Sequence, residues 1–166
     1  MTAAAAHDHR VHPRRRVPES IQRLSVLQAG VVTREQARGL GMSDHVLTRL
    51  VREERWRRLA AGIFRTADVS PEWEALAWAG VLKGGDGARL GPSASAHLHH
   101  LVLEPPRPLD VLVRPHGSRT RSDNWLFLQD QPGIRGPSVG SPPRLSVEDT
   151  VLDLCAASTE ARSSPS

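Results

Sequence analysis

Ile21, Leu24 and Leu27 recur about one helical turn apart in a polar stretch, which predicts an amphipathic helix. Pro18 stands just before this run and Gly30 closes it, the usual order of helix-opening and helix-ending residues. Val31 and Val32 follow as a short apolar pair. Thr33-Arg34-Glu35-Gln36 then reads as a capping box, in which the Thr hydroxyl and the Gln amide satisfy free backbone N–H groups. The second helix it opens is short, because Gly39 and Gly41 end it. Ser43 is placed to cap a third helix, with Asp44 at its positive end. There Val46, Leu47, Leu50 and Val51 form the apolar stripe, and His45, Thr48, Arg49 and Arg52 fall on the other side.

Two short helices joined by a glycine-containing turn make a helix-turn-helix unit. Trp56–Leu59 and Ile63–Arg65 are β-prone runs joined by Ala60-Ala61-Gly62, which predicts a hairpin, the wing. Farther on the pattern changes. Ser70-Pro71-Glu72-Trp73-Glu74 starts a helix that runs to about Leu82 and stops at Gly84-Gly85. Pro92 opens another through about Leu101. Leu109–Val113 and Trp125–Leu128 are the next candidate strands, and Gln131–Pro143 is a Pro- and Gly-rich loop. Ser146 with Asp149 caps a last helix through about Ala157. The expected fold is α+β: an N-terminal winged helix-turn-helix followed by a small α/β domain. The divisions are a disordered basic tail over 1–17, the winged helix over 18–67, the α/β domain over 68–157 and a frayed tail over 158–166.

Charge adds a direction to this picture. Residues 1–68 hold 13 Arg against 7 acidic residues, and the remainder holds 9 basic against 11 acidic residues. A basic first part on a slightly acidic second part suits a polyanion. Lys83 is the only lysine, and arginine presents a planar fork that fits phosphates and guanine edges, although a GC-rich coding sequence produces the same bias. Cys155 is the single cysteine, so no intrachain disulfide forms, in keeping with a reducing compartment. Residues 1–16 contain no apolar core of a signal peptide, and the apolar stretch around Ala75–Leu82 is too short to span a membrane. A cytoplasmic location is expected.

Candidate binding residues follow from the third helix, which has the size to enter a major groove. Ser43 and His45 lie at its start, and Thr48, Arg49 and Arg52 line one side. Arg49 is the first choice for a base contact, while Arg52 and Arg34 suit phosphate. Arg57, Arg58 and Arg65 would touch backbone from the wing, adding affinity without sequence information. Arg10 and Arg14–Arg16 of the tail either touch phosphate or stay solvated. Asp44 fits a helix-end stabiliser better than a reader of cytosine, and Trp56 fits the core better than a base-stacking platform.

Other chemistries lack a constellation. His97, His99 and His100 cluster, as do His7, His9 and His12, but neither set has acidic or cysteine partners at metal-ligand spacing. Asp149 and Asp153 share a helix face and fit a cap and a hydrogen-bonding role better than a divalent ion. Gly84-Gly85-Asp86-Gly87 lacks the lysine of a phosphate loop, and Cys155 sits on an apolar helix face, where a thiol is inert. No enzyme, cofactor or metal is expected.

Several segments together resemble the AbiEi-type antitoxins of type IV toxin–antitoxin systems. They are Leu27-Gln-Ala-Gly-Val-Val-Thr-Arg-Glu-Gln-Ala, Gly41-Met-Ser43, Leu50-Val51, Trp56-Arg-Arg-Leu and Gly62-Ile-Phe-Arg65. Leu90-Gly-Pro-Ser-Ala-Ser-Ala-His97 and Arg144-Leu-Ser-Val-Glu-Asp-Thr150-Val-Leu-Asp-Leu154 extend the likeness, which covers roughly residues 20 to 157. It implies a winged helix that binds double-stranded DNA at the operon's own promoter. It also implies a C-terminal part that neutralises a nucleotidyltransferase-like toxin. Many similar proteins continue into a restriction-endonuclease-like domain. This chain stops soon after Leu154, so nuclease activity is expected to be absent. The alternatives are a protein-interaction module, toxin-neutralising or structural, and a non-catalytic remnant of a larger nuclease-fused protein.

Overall fold

The computed structural model describes residues 16–115 and 120–163. The expectations for the tail arginines Arg10, Arg14 and Arg15, and for His7, His9 and His12, lie outside the described residues. The fold is mixed α+β, with two small sheets on either side of a central helix.

The chain opens with α1 (Glu19–Leu27), β1 (Val31–Thr33), α2 (Arg34–Gly39) and α3 (Asp44–Arg52), then β2 (Arg57–Ala60) and β3 (Ile63–Arg65). The turn after α1 needs Gly30. Its φ is +84°, and a Cβ there would stand 2.3 Å from the Ala67 carbonyl oxygen. The capping box at α2 forms in full: Gln36 N–H donates to Thr33 Oγ1 at 3.1 Å, and Thr33 N–H donates to Gln36 Oε1 at 2.9 Å. Gln36 also exchanges side-chain amide bonds of 2.9 and 3.1 Å with Gln28, fastening the end of α1 to the start of α2.

The first sheet has the antiparallel order β1-β3-β2. Strand alternation gives it two apolar faces. Val32 and Phe64 point into a core with Ile21, Ala37, Leu47, Leu50 and Trp56. Val31 and Ile63 point the other way, into a core with α4 (Glu72–Gly84). Trp56 is thus a core residue, buried beside Phe64 with ring centroids 6.4 Å apart.

The second sheet has the order β4 (Arg89–Leu90), β5 (Leu109–Val113), β6 (Trp125–Gln129), with β5 antiparallel to β4 and parallel to β6. Leu90, Leu109, Val111, Val113, Trp125 and Phe127 join the same core as α4. That helix therefore packs on both sheets, which explains why Ala75, Leu76, Ala77, Ala79, Gly80 and Val81 are all buried. Gly80 is required by closeness: a Cβ would lie 2.7 Å from the Trp125 ring, whose Nε1–H donates to the Leu76 carbonyl at 2.8 Å. The expected boundary at residues 67 and 68 lies in a connecting loop, but Val31 and Ile63 from before it belong to the core that lies mostly after it.

Beyond the sheet, α5 (Pro92–Leu98) and α6 (Val147–Ser163) pack together. The helix expected through Leu101 ends at Leu98, because His100 turns left-handed (φ +59°) and Leu101 N–H bonds back to the Ala96 carbonyl at 2.9 Å. The last helix runs on past Ala157 to Ser163, where a frayed tail was expected. The Ser158 and Thr159 hydroxyls turn back onto the Leu154 and Cys155 carbonyls at 2.8 and 3.0 Å, so neither side chain competes for a non-helical turn. Cys155 lies beside Val151, Leu154, Leu101 and Val102, the apolar face that was expected, but that face is uncovered and the thiol is exposed. No helix among the described residues is long and apolar enough to cross a membrane.

Candidate nucleic-acid interface

The apolar stripe of α3 is consumed by the first core: Val46, Leu47 and Leu50 are all buried. Helical spacing then turns His45, Thr48 and Arg52 outward together, and all three are exposed. Ser43 is exposed at the helix start, but its hydroxyl makes no cap bond, against expectation. Arg52 has no ion-pair partner among the described residues, so its guanidinium is available to a ligand.

Arg49 does not lead this face. It lies at the margin next to α1, its side chain 27 % exposed, with Nε 3.8 Å from Glu53 Oε1 one turn on. The opposite margin belongs to α2. There Arg34 Nη1 lies 3.0 Å from Asp44 Oδ1, and Arg38 pairs with Asp44 Oδ2 through Nε at 3.0 Å and through Nη2. The bond from Arg38 holds the Asp44 carboxyl below its ordinary range, with Arg34 adding to the pull. Asp44 therefore does more than complement the helix end, since it clamps both α2 arginines. Arg38 was not singled out from the sequence. The glycine turn between it and Asp44 hides their contact from helical spacing.

The hairpin arginines divide by strand register. Arg58 lies opposite Phe64, and its guanidinium sits 5.9 Å from that ring's centroid, exposed on the helix side of the sheet. Arg57 lies opposite Arg65, on the side that faces α4, and its Nη2 meets Glu72 Oε1 at 2.9 Å. Arg65 shares the face of Ile63 and is only 7 % exposed. Its Nη2 donates to the Ser70 carbonyl at 2.7 Å. The expected backbone contact from Arg65 is therefore corrected: the alternation of β3 turns it inward, where it ties the sheet to the start of α4. Arg57 is exposed but engaged, and would have to leave Glu72 to reach a duplex.

Side chains of the other candidate clusters are engaged in internal hydrogen bonds, ion pairs and ring contacts. Arg89 Nε and Nη2 bond Asp130 Oδ2 at 2.9 and 2.6 Å, Arg135 meets both Asp130 (2.8 Å) and Asp153 (2.7 and 3.1 Å), and Asp149 accepts from Gly136 N–H at 2.9 Å. These acids are occupied by cations and amides, and no group of metal-ligating side chains forms among the described residues. The histidines also separate in role: His99 Nε2 bonds the Leu145 carbonyl at 2.8 Å, and His97 stacks edge-on against Trp73 with centroids 4.7 Å apart. Comparison with protein-family models and with curated proteins finds no match to this chain.

Proposed function

We propose that this protein is a DNA-binding transcriptional regulator whose residues 18–67 form a winged helix-turn-helix. The reading rests on one observation: the side of α3 bearing Ser43, His45, Thr48 and Arg52 is uncovered, while its opposite side is locked into a core. A helix with its side chains is about 10–12 Å across, which fits a major groove about 12 Å wide, and the nine residues of α3 give it about 13 Å to lie along that groove. Arg52 and His45 then approach base edges, Arg49 and Arg34 stand toward the two flanking phosphate strands, and Arg58 reaches backbone from the hairpin. The order helix, strand, helix, helix, strand, strand supports the same reading. So does the resemblance to AbiEi-type antitoxins, which adds autoregulation of an operon and a nucleotidyltransferase-like toxin as functional partner; a cytoplasmic setting and a non-catalytic role complete the proposal.

A gel shift with DNA from upstream of its own gene tests the proposal. Wild type is expected to prefer that DNA over random duplex. Arg52→Ala should reduce the preference about tenfold, the worth of one base contact of ~1–3 kcal/mol. Equal affinity for random duplex would overturn the reading. A second reading, a protein-interaction module, is favoured by the exposed apolar side chains Leu101, Val102, Val151 and Leu152 around α6, and it alone remains if no duplex is bound at all.

A further inference from the structure

We infer that the groove between the start of α1 and the end of α3 is a seat for a backbone phosphate of duplex DNA, formed by Arg16, Arg49 and Arg55. Val17, Glu19 and Gln22 line one wall with Arg16, and Arg49, Glu53 and Arg55 line the other. Its two carboxylates are engaged: Glu19 lies 2.6 Å from Arg23 Nη2, and Glu53 lies 3.8 Å from Arg49. Arg16 and Arg55 have no hydrogen-bond or ion-pair partner for their side chains among the described residues.

The backbone holds both walls in place. Glu54 turns left-handed (φ +56°) at the end of α3, and Arg55 N–H bonds the Leu50 carbonyl at 3.0 Å, which swings Arg55 into the groove beside the buried Trp56. On the other wall the Gln22 side-chain amide donates to the Val17 carbonyl at 3.2 Å and fastens the irregular segment that carries Arg16.

The position of the groove identifies the ligand. The exposed row His45, Thr48, Arg52 runs between it and the Arg34–Asp44–Arg38 clamp on α2. A duplex lying along α3 carries one phosphate strand past each margin. At the α2 margin Asp44 engages the guanidinium groups of both Arg34 and Arg38, whereas Arg16 and Arg55 meet no carboxylate among the described residues, so the α1 margin offers the unengaged cations. Glu19 and Glu53, although paired, still oppose a small free anion. A strand pinned by contacts elsewhere on α3 overcomes that opposition, which selects backbone phosphate over free phosphate.

This inference rests on the proposed DNA binding, and the test separates the two. Affinity for a short labelled duplex of random sequence is measured over a range of NaCl for wild type, for Arg16→Ala/Arg55→Ala, and for Lys83→Ala/Arg114→Ala. The last pair removes the same charge from exposed sites outside the groove. The slope of log affinity against log salt should become shallower by about one unit in the groove variant, for the one phosphate the seat holds, and stay at the wild-type value in the control. Inorganic phosphate at matched ionic strength should compete no better than chloride. Wild type that binds with a slope unchanged by the groove substitutions overturns the phosphate seat alone, as does strong competition by inorganic phosphate. Wild type that binds no duplex overturns the DNA reading and the seat with it.

Discussion

Around the first sheet, Arg52, Arg55 and Arg58 stand at the surface, and only Arg65 is buried. Around the second sheet, Arg89 pairs with Asp130 and Arg135 bridges Asp130 and Asp153, all largely shielded from water. The same side chain serves two purposes, and the acids decide which. The second part of the chain supplies a carboxylate within reach of these shielded guanidinium groups. The first part has more arginines than acids, and those it cannot pair face solvent. A basic surface is thus the residue of incomplete internal pairing, and composition alone does not reveal where on the surface it falls.

The largest expected effect is on the shielded side of this contrast. Arg89→Ala leaves Asp130 with only Arg135 and leaves the Gly136 carbonyl without its 2.6 Å donor. Breaking such a part-buried pair should lower stability by ~3–5 kcal/mol, read as a fall in the denaturant midpoint. The salt slope for duplex should not change if the protein is kept folded, since Arg89 is not at the surface. A loss below ~1 kcal/mol would mean that the network is as weak as a surface pair.

The next concerns whether the two regions are separable. Because α4 packs on both sheets, Gly80→Ala, which forces a Cβ against Trp125, should cost ~1–3 kcal/mol through overpacking. It should shift one cooperative transition, with near-UV signals from Trp125 and Trp56 moving together. Two transitions, with Trp56 unaffected, would show that the first core folds without the second.

The smallest effect is electrostatic and has opposite signs in the two regions. Asp44, held below its ordinary range by Arg38, contributes pairing that is present at neutral pH and lost only as pH falls through its lowered pKa. Asp110 is the reverse case. Burial pushes its carboxyl up, against the Ser93 and Ala94 N–H groups that donate to it at 2.8 Å each. Its ionisation therefore weighs against the fold above that raised pKa, and acidification through it relieves the penalty. Asp110→Asn should remove the acid-side gain from a plot of melting temperature against pH. Asp44→Asn frees Arg34 and Arg38 at neutral pH and should raise duplex affinity a few-fold, with a steeper salt slope. An unchanged slope would show that the α2 margin does not meet phosphate.

Much of this architecture was legible along the chain. The Thr33–Gln36 box, the Val46/Leu47/Leu50 stripe and the short β-prone runs around Gly62 each carry a local cause, so they place α2, α3 and the hairpin without tertiary information. The outward turn of His45, Thr48 and Arg52 follows from the same helical period. The ends of α5 and α6 were less legible, because His100 takes a left-handed conformation usually left to glycine, and because serine and threonine hydroxyls can bond within a helix as readily as cap it.

Sequence by itself determined the elements, their polarity and the sign of the charge on each part, since these depend on neighbours within one or two turns. Only the tertiary structure decided what each arginine meets: Asp44 for Arg34 and Arg38, the Ser70 carbonyl for Arg65, Glu72 for Arg57, open groove for Arg16 and Arg55. The physical reason is reach. A guanidinium sits at the end of a long flexible side chain, so its partner is set by which backbone passes nearby, and spacing in sequence does not encode that.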